Sequence, residues 1–500
     1  MRAFLKLLSW VVGLGLLAFG GAWFVAGRAK GPALEIRQPG GFIGQKSSLE
    51  LMIDAPGGHL TRVDAVIEQH GTRLPVFTLT GAGDDTRREG ADRLYIIRPV
   101  GKANIPQLVA GPATIIVRAA RPVLYGIRES ETLVRKDVQV RLEPPRVSVV
   151  STKHYINLGG AELVVYKATP DDVESGVRVG DVTYRGYPAS GAGITADPSL
   201  RVAVYALLHD QDLKTPMVVF ATDAAGNEAR AAFGDQVFPK PFKKSRIEVT
   251  DAFLGRVVPG IVSNSPGLNL PTDPASLVTS FVTINSQVRQ QNAATIAALA
   301  AKSAPKMLWK APFTQLGNSQ VEAGFADHRT YLYKGKEIDQ QTHLGFDLAV
   351  TANVPVAAAQ DGTVLFAEFL GIYGNCVIVD HGLGVQSLYA HLSSIDVKPG
   401  AVVTKGQLLG KSGMTGLAGG DHLHFTMLVG GHAVNPVEWW DLKWMQDRVF
   451  RKLGEAGGPF EVKPDAGASK PTGPGRVRPG HRNPAPKGGH APARKAGRRR

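Results

Sequence analysis

Five side chains near the C-terminus have the types and spacing to do chemistry: His343 and Asp347 in Thr-His-Leu-Gly-Phe-Asp-Leu, His391 in Leu-Tyr-Ala-His-Leu, and His422 and His424 in Asp-His-Leu-His-Phe. Apolar residues alternate with the polar ones in both outer segments, the pattern of half-buried strands. Side chains two apart on a strand share a face, about 6.5–7 Å from one another. His343, Gly345 and Asp347 are therefore expected on one face, and His422 with His424 on another, while Leu344, Phe346, Leu348, Leu423 and Phe425 turn into a core. Two such strands side by side can gather imidazoles and a carboxylate around one point. A catalytic zinc site needs three such ligands and an open position for water or substrate. Five candidates are one ligand set with two histidines to spare, which suits metal-assisted hydrolysis with positioned acid/base groups. A histidine outside such a cluster, as His381 or His432, is read as a packed or solvated residue.

Around these residues the chain resembles the lysostaphin-like zinc endopeptidases of the LytM and LasA type, which cut the peptide part of bacterial peptidoglycan. The resemblance runs over residues 307–441. It includes His343-Leu-Gly-Phe-Asp347-Leu, Asp361-Gly-Thr-Val364, Tyr373-Gly-Asn-Cys-Val-Ile-Val-Asp-His-Gly382, Leu388-Tyr-Ala-His391-Leu, Val403-Thr-Lys-Gly-Gln-Leu-Leu-Gly410, Thr415-Gly416, His422-Leu-His424-Phe and Val434-Asn-Pro436. It implies that His343, Asp347 and His424 bind one zinc ion, and that His391 and His422 stand beside the metal as catalytic groups. Asp421 and the pair Gln386-Ser387 depart from the family pattern without touching a ligand position, so they bear on substrate preference. Tyr389, two residues before His391, is expected on the same strand face as a supporting group. A catalytically silent regulator of other wall hydrolases is the competing reading, and an envelope scaffold a further one. The complete ligand set argues against both.

Five hundred residues is a length for three or four domains, and 43% hydrophobic with 20% charged residues is a globular composition. The single cysteine, Cys376, excludes an internal disulfide and sits in a strand where a small buried residue fits. Leu7 through Ala26 is a run of twenty residues whose only conventionally polar member is Ser9, and twenty helical residues span about 30 Å of bilayer. No Ala-x-Ala cleavage site follows, so an uncleaved signal-anchor is expected. Arg2 and Lys6 are balanced by Arg28 and Lys30 and orient it poorly. A wall hydrolase would place the bulk of the chain outside the cytoplasmic (inner) membrane, in the periplasmic or extracytoplasmic space.

The expected fold is mainly β. Residues 1–30 are the transmembrane helix. Residues 31–144 and 145–240 form two immunoglobulin-like β-sandwich modules divided at Pro144-Pro145, and the second carries the hairpin sequence Ala-Thr-Asp-Ala-Ala-Gly-Asn. Residues 241–305 are a helical linker, with a helix from Asp273-Pro274 to Ala304. That helix, and a loop Tyr331–Gln341, are read as connectors; the family resemblance implies as the alternative that one of them covers the cleft. Residues 306–445 are the antiparallel β-sheet zinc domain and 446–500 a disordered tail. Residues 470–500 hold ten Lys or Arg and no Asp or Glu, supplying +10 of the formal +14 charge. Such a segment has nothing to bury. On an exported protein its partner would be an anionic envelope surface and not nucleic acid.

Overall fold

The computed structural model describes residues 2–55, 59–80 and 86–460; the basic tail 470–500 lies outside them. The chain is mainly β, 43% strand against 19% helix. The helix Arg2–Ala26 contains a stretch, Phe4–Ala26, long and apolar enough to cross a membrane, and none of that stretch is buried against the protein.

Residues 33–140 form a two-sheet sandwich. Its four-stranded sheet carries Ala33–Gln38, Ser47–Asp54, Arg93–Val100 and Thr86–Glu89, and the five-stranded sheet is built on Arg62–Gln69 and the long hairpin Gly111–Val123/Arg128–Val140. Period-two alternation makes the core: Leu49, Leu51 and Ile53 from one sheet meet Val63, Ala65 and Ile67 from the other. A second two-sheet unit follows, with Arg146–Val149, Ala161–Thr169, Leu200–Ala206 and Tyr187–Pro188 in one sheet and Val182–Arg185, Glu174–Val179, Met217–Thr222 and Glu228–Ala232 in the other. Its Ala-Thr-Asp-Ala-Ala-Gly-Asn run forms the turn between Met217–Thr222 and Glu228–Ala232. Asp223 Oδ1 accepts the amides of Ala225 and Asn227 there, and Asn227 Oδ1 accepts the amide of Gln45, tying the two units together.

The second unit is not a free bead on a string. One continuous hydrophobic cluster runs from Leu163, Val165 and Val202 through Trp309 and Phe313 to Leu348, Phe425, Trp439, Phe450 and Leu453. Residues 446–455, assigned to a disordered tail by sequence, are helical. The reason is amphipathic: Val449, Phe450 and Leu453 bury one face in that shared core. Lys452, on the same helix, pairs with Glu162 at 2.7 Å with both side chains withdrawn from solvent. Nearby, Glu438 accepts Asn157 Nδ2–H at 2.7 Å and the Ala161 amide at 2.8 Å.

The linker differs from expectation in two respects. A helix Asp251–Ser263, containing Gly255, Pro259 and Gly260, precedes the expected one, which starts only at Leu277 and continues to Ala300. The glycines and proline masked its apolar face of Leu254, Val257, Val258 and Ile261. The supposed loop Tyr331–Gln341 is a hairpin, Asp327–Tyr333 against Lys336–His343, closed by Lys334-Gly335, both at positive φ. The strand Lys244–Glu248 pairs parallel to its outer edge. Behind it lies the main antiparallel sheet, in the order Gln320–Ala323, Phe346–Ala349, His422–Val429, Val385–Leu392, Asn375–Gly382, Gly362–Phe369 and Val402–Val403.

Candidate metal centre

Cross-strand register builds the cluster. Asp347 on Phe346–Ala349 lies opposite His424 on His422–Val429, so both project from one face, while their neighbours Phe346 and Phe425 pair on the other. His343 ends the preceding hairpin, and Leu344-Gly345 turns the chain so that its imidazole reaches the same point. His343 Nε2, Asp347 Oδ1 and His424 Nδ1 are 2.9–3.0 Å from one another. Nitrogen and carboxylate donors at about 3 Å separations can all reach one ion at about 2.0–2.2 Å, the ligand distances of zinc. Gly345 is required for that convergence, because a Cβ there would lie 2.5 Å from the His424 ring and 2.6 Å from Thr426 Oγ1.

Each donor is held from behind. His343 Nδ1–H donates to the Gly324 carbonyl at 3.1 Å, leaving Nε2 for the site. His424 Nε2–H donates to Thr426 Oγ1 at 3.0 Å, whose own hydroxyl donates to the Leu344 carbonyl, leaving Nδ1 inward. Arg329 Nη2 donates to Asp347 Oδ2 at 2.9 Å, leaving Oδ1 inward. Such outer partners set tautomer and orientation at metal sites. Burial disfavours charge on Asp347, but the adjacent imidazoles outweigh it and hold the carboxyl well below the usual carboxylate range.

His422 shares the His424 face. Its Nδ1–H donates to the Gly420 carbonyl at 2.9 Å, and its Nε2 stands 3.4 Å from Asp347 Oδ1. His391 donates Nδ1–H to the Thr415 carbonyl at 2.8 Å, and its ring lies 4.8 Å from His422 and 5.6 Å from His424, centroid to centroid. Burial, and then the charges of His422 and His424, hold the His391 imidazole well below the usual histidine range. The five sequence-selected residues thus lie in one cluster, three of them as the candidate ligand set.

Tyr389 is not in it. His391 sits at φ +62, so strand alternation breaks there and the two side chains diverge. Tyr389 instead packs on Phe425 in the core, its hydroxyl accepting from the Ala359 amide and Ser387. His381 is buried between the Asp361 carbonyl and Ser387, and His432 packs on Tyr184 of the second sandwich. Sequence reasoning missed Arg329 and Thr426. Thr426 carries a signal, since it shares the His424 face two residues on; Arg329 carries none, because only the hairpin pairing brings it to Asp347.

Residues 341–436 match the sequence profile of Peptidase family M23. Over 95 residues, 19% of this chain and 22% of the relative, the sequence is 42% identical to a DD-carboxypeptidase/endopeptidase, Mpg, of Neisseria meningitidis serogroup B. It is 40% identical over 96 residues, again 19% and 22% of the two chains, to the peptidoglycan DD-endopeptidase ShyA of Vibrio cholerae. The match therefore spans under a quarter of these curated relatives. Among solved structures, the catalytic domain of lysostaphin from Staphylococcus simulans is similar at 29% identity, covering 24% of this chain and 90% of that one with a TM-score of 0.21. Over residues 341–436, the segment that contains the metal cluster, the chain carries a peptidase M23 domain of the LytM/lysostaphin family.

Proposed function

We propose that this chain is a membrane-tethered zinc metalloendopeptidase that hydrolyses peptide cross-links of bacterial peptidoglycan. The observation that carries the reading is the convergence of His343 Nε2, Asp347 Oδ1 and His424 Nδ1, each with its other polar atom already engaged. Zinc bound there would polarise the scissile carbonyl and lower the pKa of a bound water towards neutrality. His391 and His422 present Nε2 to that space with Nδ1–H tied to a backbone carbonyl. One takes the proton of the attacking water and passes it to the leaving amine, and the other steadies the oxyanion. Relatives named as DD-endopeptidases favour a cross-link peptide as substrate. The apolar Phe4–Ala26 helix supports attachment to the cytoplasmic membrane, with the remaining chain on the side where the wall lies. The basic tail would then meet an anionic envelope surface.

The test is digestion of purified peptidoglycan by the full chain, with zinc assayed on the same sample and His422→Ala as control. New muropeptides that vanish in the variant, with about one zinc per chain, are expected, and their masses identify the bond. One zinc per chain without digestion would point to another substrate. Neither zinc nor digestion would favour the silent regulator.

A further inference from the structure

The tip of the long hairpin in the first sandwich lies against the end of the apolar helix. Val123 and Leu124 line a crevice with Gly21, Ala22, Val25 and Ala26 of that helix. Those helix residues belong to the stretch that is apolar enough to span a bilayer. At 1.5 Å per residue, Gly21 lies about 7.5 Å inside the end of the span. Whatever medium surrounds the last turns of the helix therefore also wets the tip.

The contact is held by specific bonds. Arg128 Nη1 donates to the Trp23 carbonyl at 2.8 Å, and Arg121 Nε donates to the Lys30 carbonyl at 3.0 Å. Gly27 and Gly31 permit the approach, since a Cβ at either would meet Arg128 or Glu131 and Thr132 at under 3 Å. Beyond the contact, the tip displays apolar side chains outward. Tyr125 is fully exposed and Ile127 is 60% exposed. Leu124 and Tyr125 both hold positive φ, 51° and 55°, a conformation that bulky residues rarely adopt. On the flanking segments stand Arg28, Lys30, Arg121 and Arg128, with Glu129 and Glu131 as acidic neighbours on the same hairpin.

We infer that this hairpin tip is a second membrane-contacting element, with Tyr125 and Ile127 seated in the headgroup–acyl boundary and the flanking cations on lipid phosphates. The inference rests on reading Phe4–Ala26 as a membrane span. Tyrosine and tryptophan favour that boundary because the ring is apolar and its polar atom stays hydrated. Trp23, 5.0 Å beneath the Arg128 guanidinium, marks the same level from the helix side. Shallow burial of an apolar tip with basic residues behind it is how interfacial elements hold a bilayer surface.

The experiment uses the full chain reconstituted into vesicles of phosphatidylethanolamine and phosphatidylglycerol. The single native cysteine, Cys376, is buried, so Tyr125→Cys accepts an environment-sensitive fluorophore at one place. Asp181→Cys, on an exposed turn of the second sandwich, is the control. Lipid carrying a spin label near its headgroup should cut emission from position 125 several-fold and leave position 181 unchanged. Chain that floats with the vesicles while position 125 stays unquenched would overturn the docking surface and point to a protein partner for the tip. Chain that fails to float would instead overturn the anchor reading, and the docking surface with it.

Discussion

At the scale of single residues, the proposed function separates groups that would hold a metal from groups that would move protons. His424→Ala or Asp347→Ala is expected to lose zinc and activity together. His391→Ala, whose ring is held by the Thr415 carbonyl, should keep most of the metal and lose on the order of 10²–10⁴ in rate, the usual worth of acid/base catalysis. Metal analysis beside single-turnover kinetics checks this, and stoichiometric zinc loss in His391→Ala would refute the ligand assignment. Glu438 offers a prediction of another kind. Burial pushes its carboxyl up to about 7, against the hydrogen bonds from Asn157 and Ala161 that favour the ionised form. Between the ordinary glutamate value of 4.5 and about 7 the folded chain binds a proton that the unfolded chain has released. Its contribution to stability should therefore be greatest below that window and decline as pH rises through it. Melting temperature measured from pH 5 to pH 8 should fall more steeply in wild type than in Glu438→Gln, which cannot titrate. Parallel slopes would show that this carboxyl does not titrate there.

At the scale of elements, the turn between the hairpin and the next strand is the sensitive joint. Gly345→Ala places a methyl 2.5 Å from the His424 ring. The expected outcome is a folded protein, by circular dichroism, with metal affinity reduced by about 10–100-fold, the cost of disturbing an outer ligand contact. Unchanged zinc binding would mean that the joint relaxes freely. This scale also shows what was legible in sequence. His422–Phe425 announced itself as a ligand strand by strict polar–apolar alternation, and the antiparallel register made Asp347 and His424 neighbours. His343–Leu348 alternates as well but is broken at Leu344-Gly345 into two strands, so His343 reaches the site through a turn and not along one strand face. Tyr389 was misplaced because a single φ of +62 at His391 reverses a face, and period-two patterning assumes every residue extended. The Asp251–Ser263 helix was hidden by its own glycines and proline, since its helicity rests on burying Leu254, Val257, Val258 and Ile261 against distant partners. Arg329 was invisible for a similar reason, being defined by pairing across a hairpin.

At the scale of the whole molecule, the peptidase domain is not separable from the sandwich before it. Trp309, Trp439, Phe450 and Leu453 lie in the same cluster as Leu163 and Val202. A fragment of residues 305–445 would expose that face, each large apolar side chain so uncovered costing roughly 1.5–3 kcal/mol. It should be less soluble, melt lower and be cut by protease sooner than a fragment of residues 146–460. Equal melting temperatures for the two would show the shared core to be dispensable. The first sandwich stands in a different relation, joined to the second through the short connection after Val140 and the Asn227 contacts.

The Gly111–Val140 hairpin links these regions, with strands of 13 residues each. One end abuts the last turns of the apolar helix and the other leads directly into the second sandwich, so at about 3.4 Å per residue it spans about 40 Å. On a cell envelope that length is a stand-off distance. Under the proposed membrane attachment, its foot would rest on the bilayer and its head would meet the sandwich that shares a core with the metal-site domain, so the hairpin would set the height of the site. For the proposed wall hydrolase, cross-links in one stratum of the wall would then lie within reach, and those nearer the membrane or farther out would be spared by geometry.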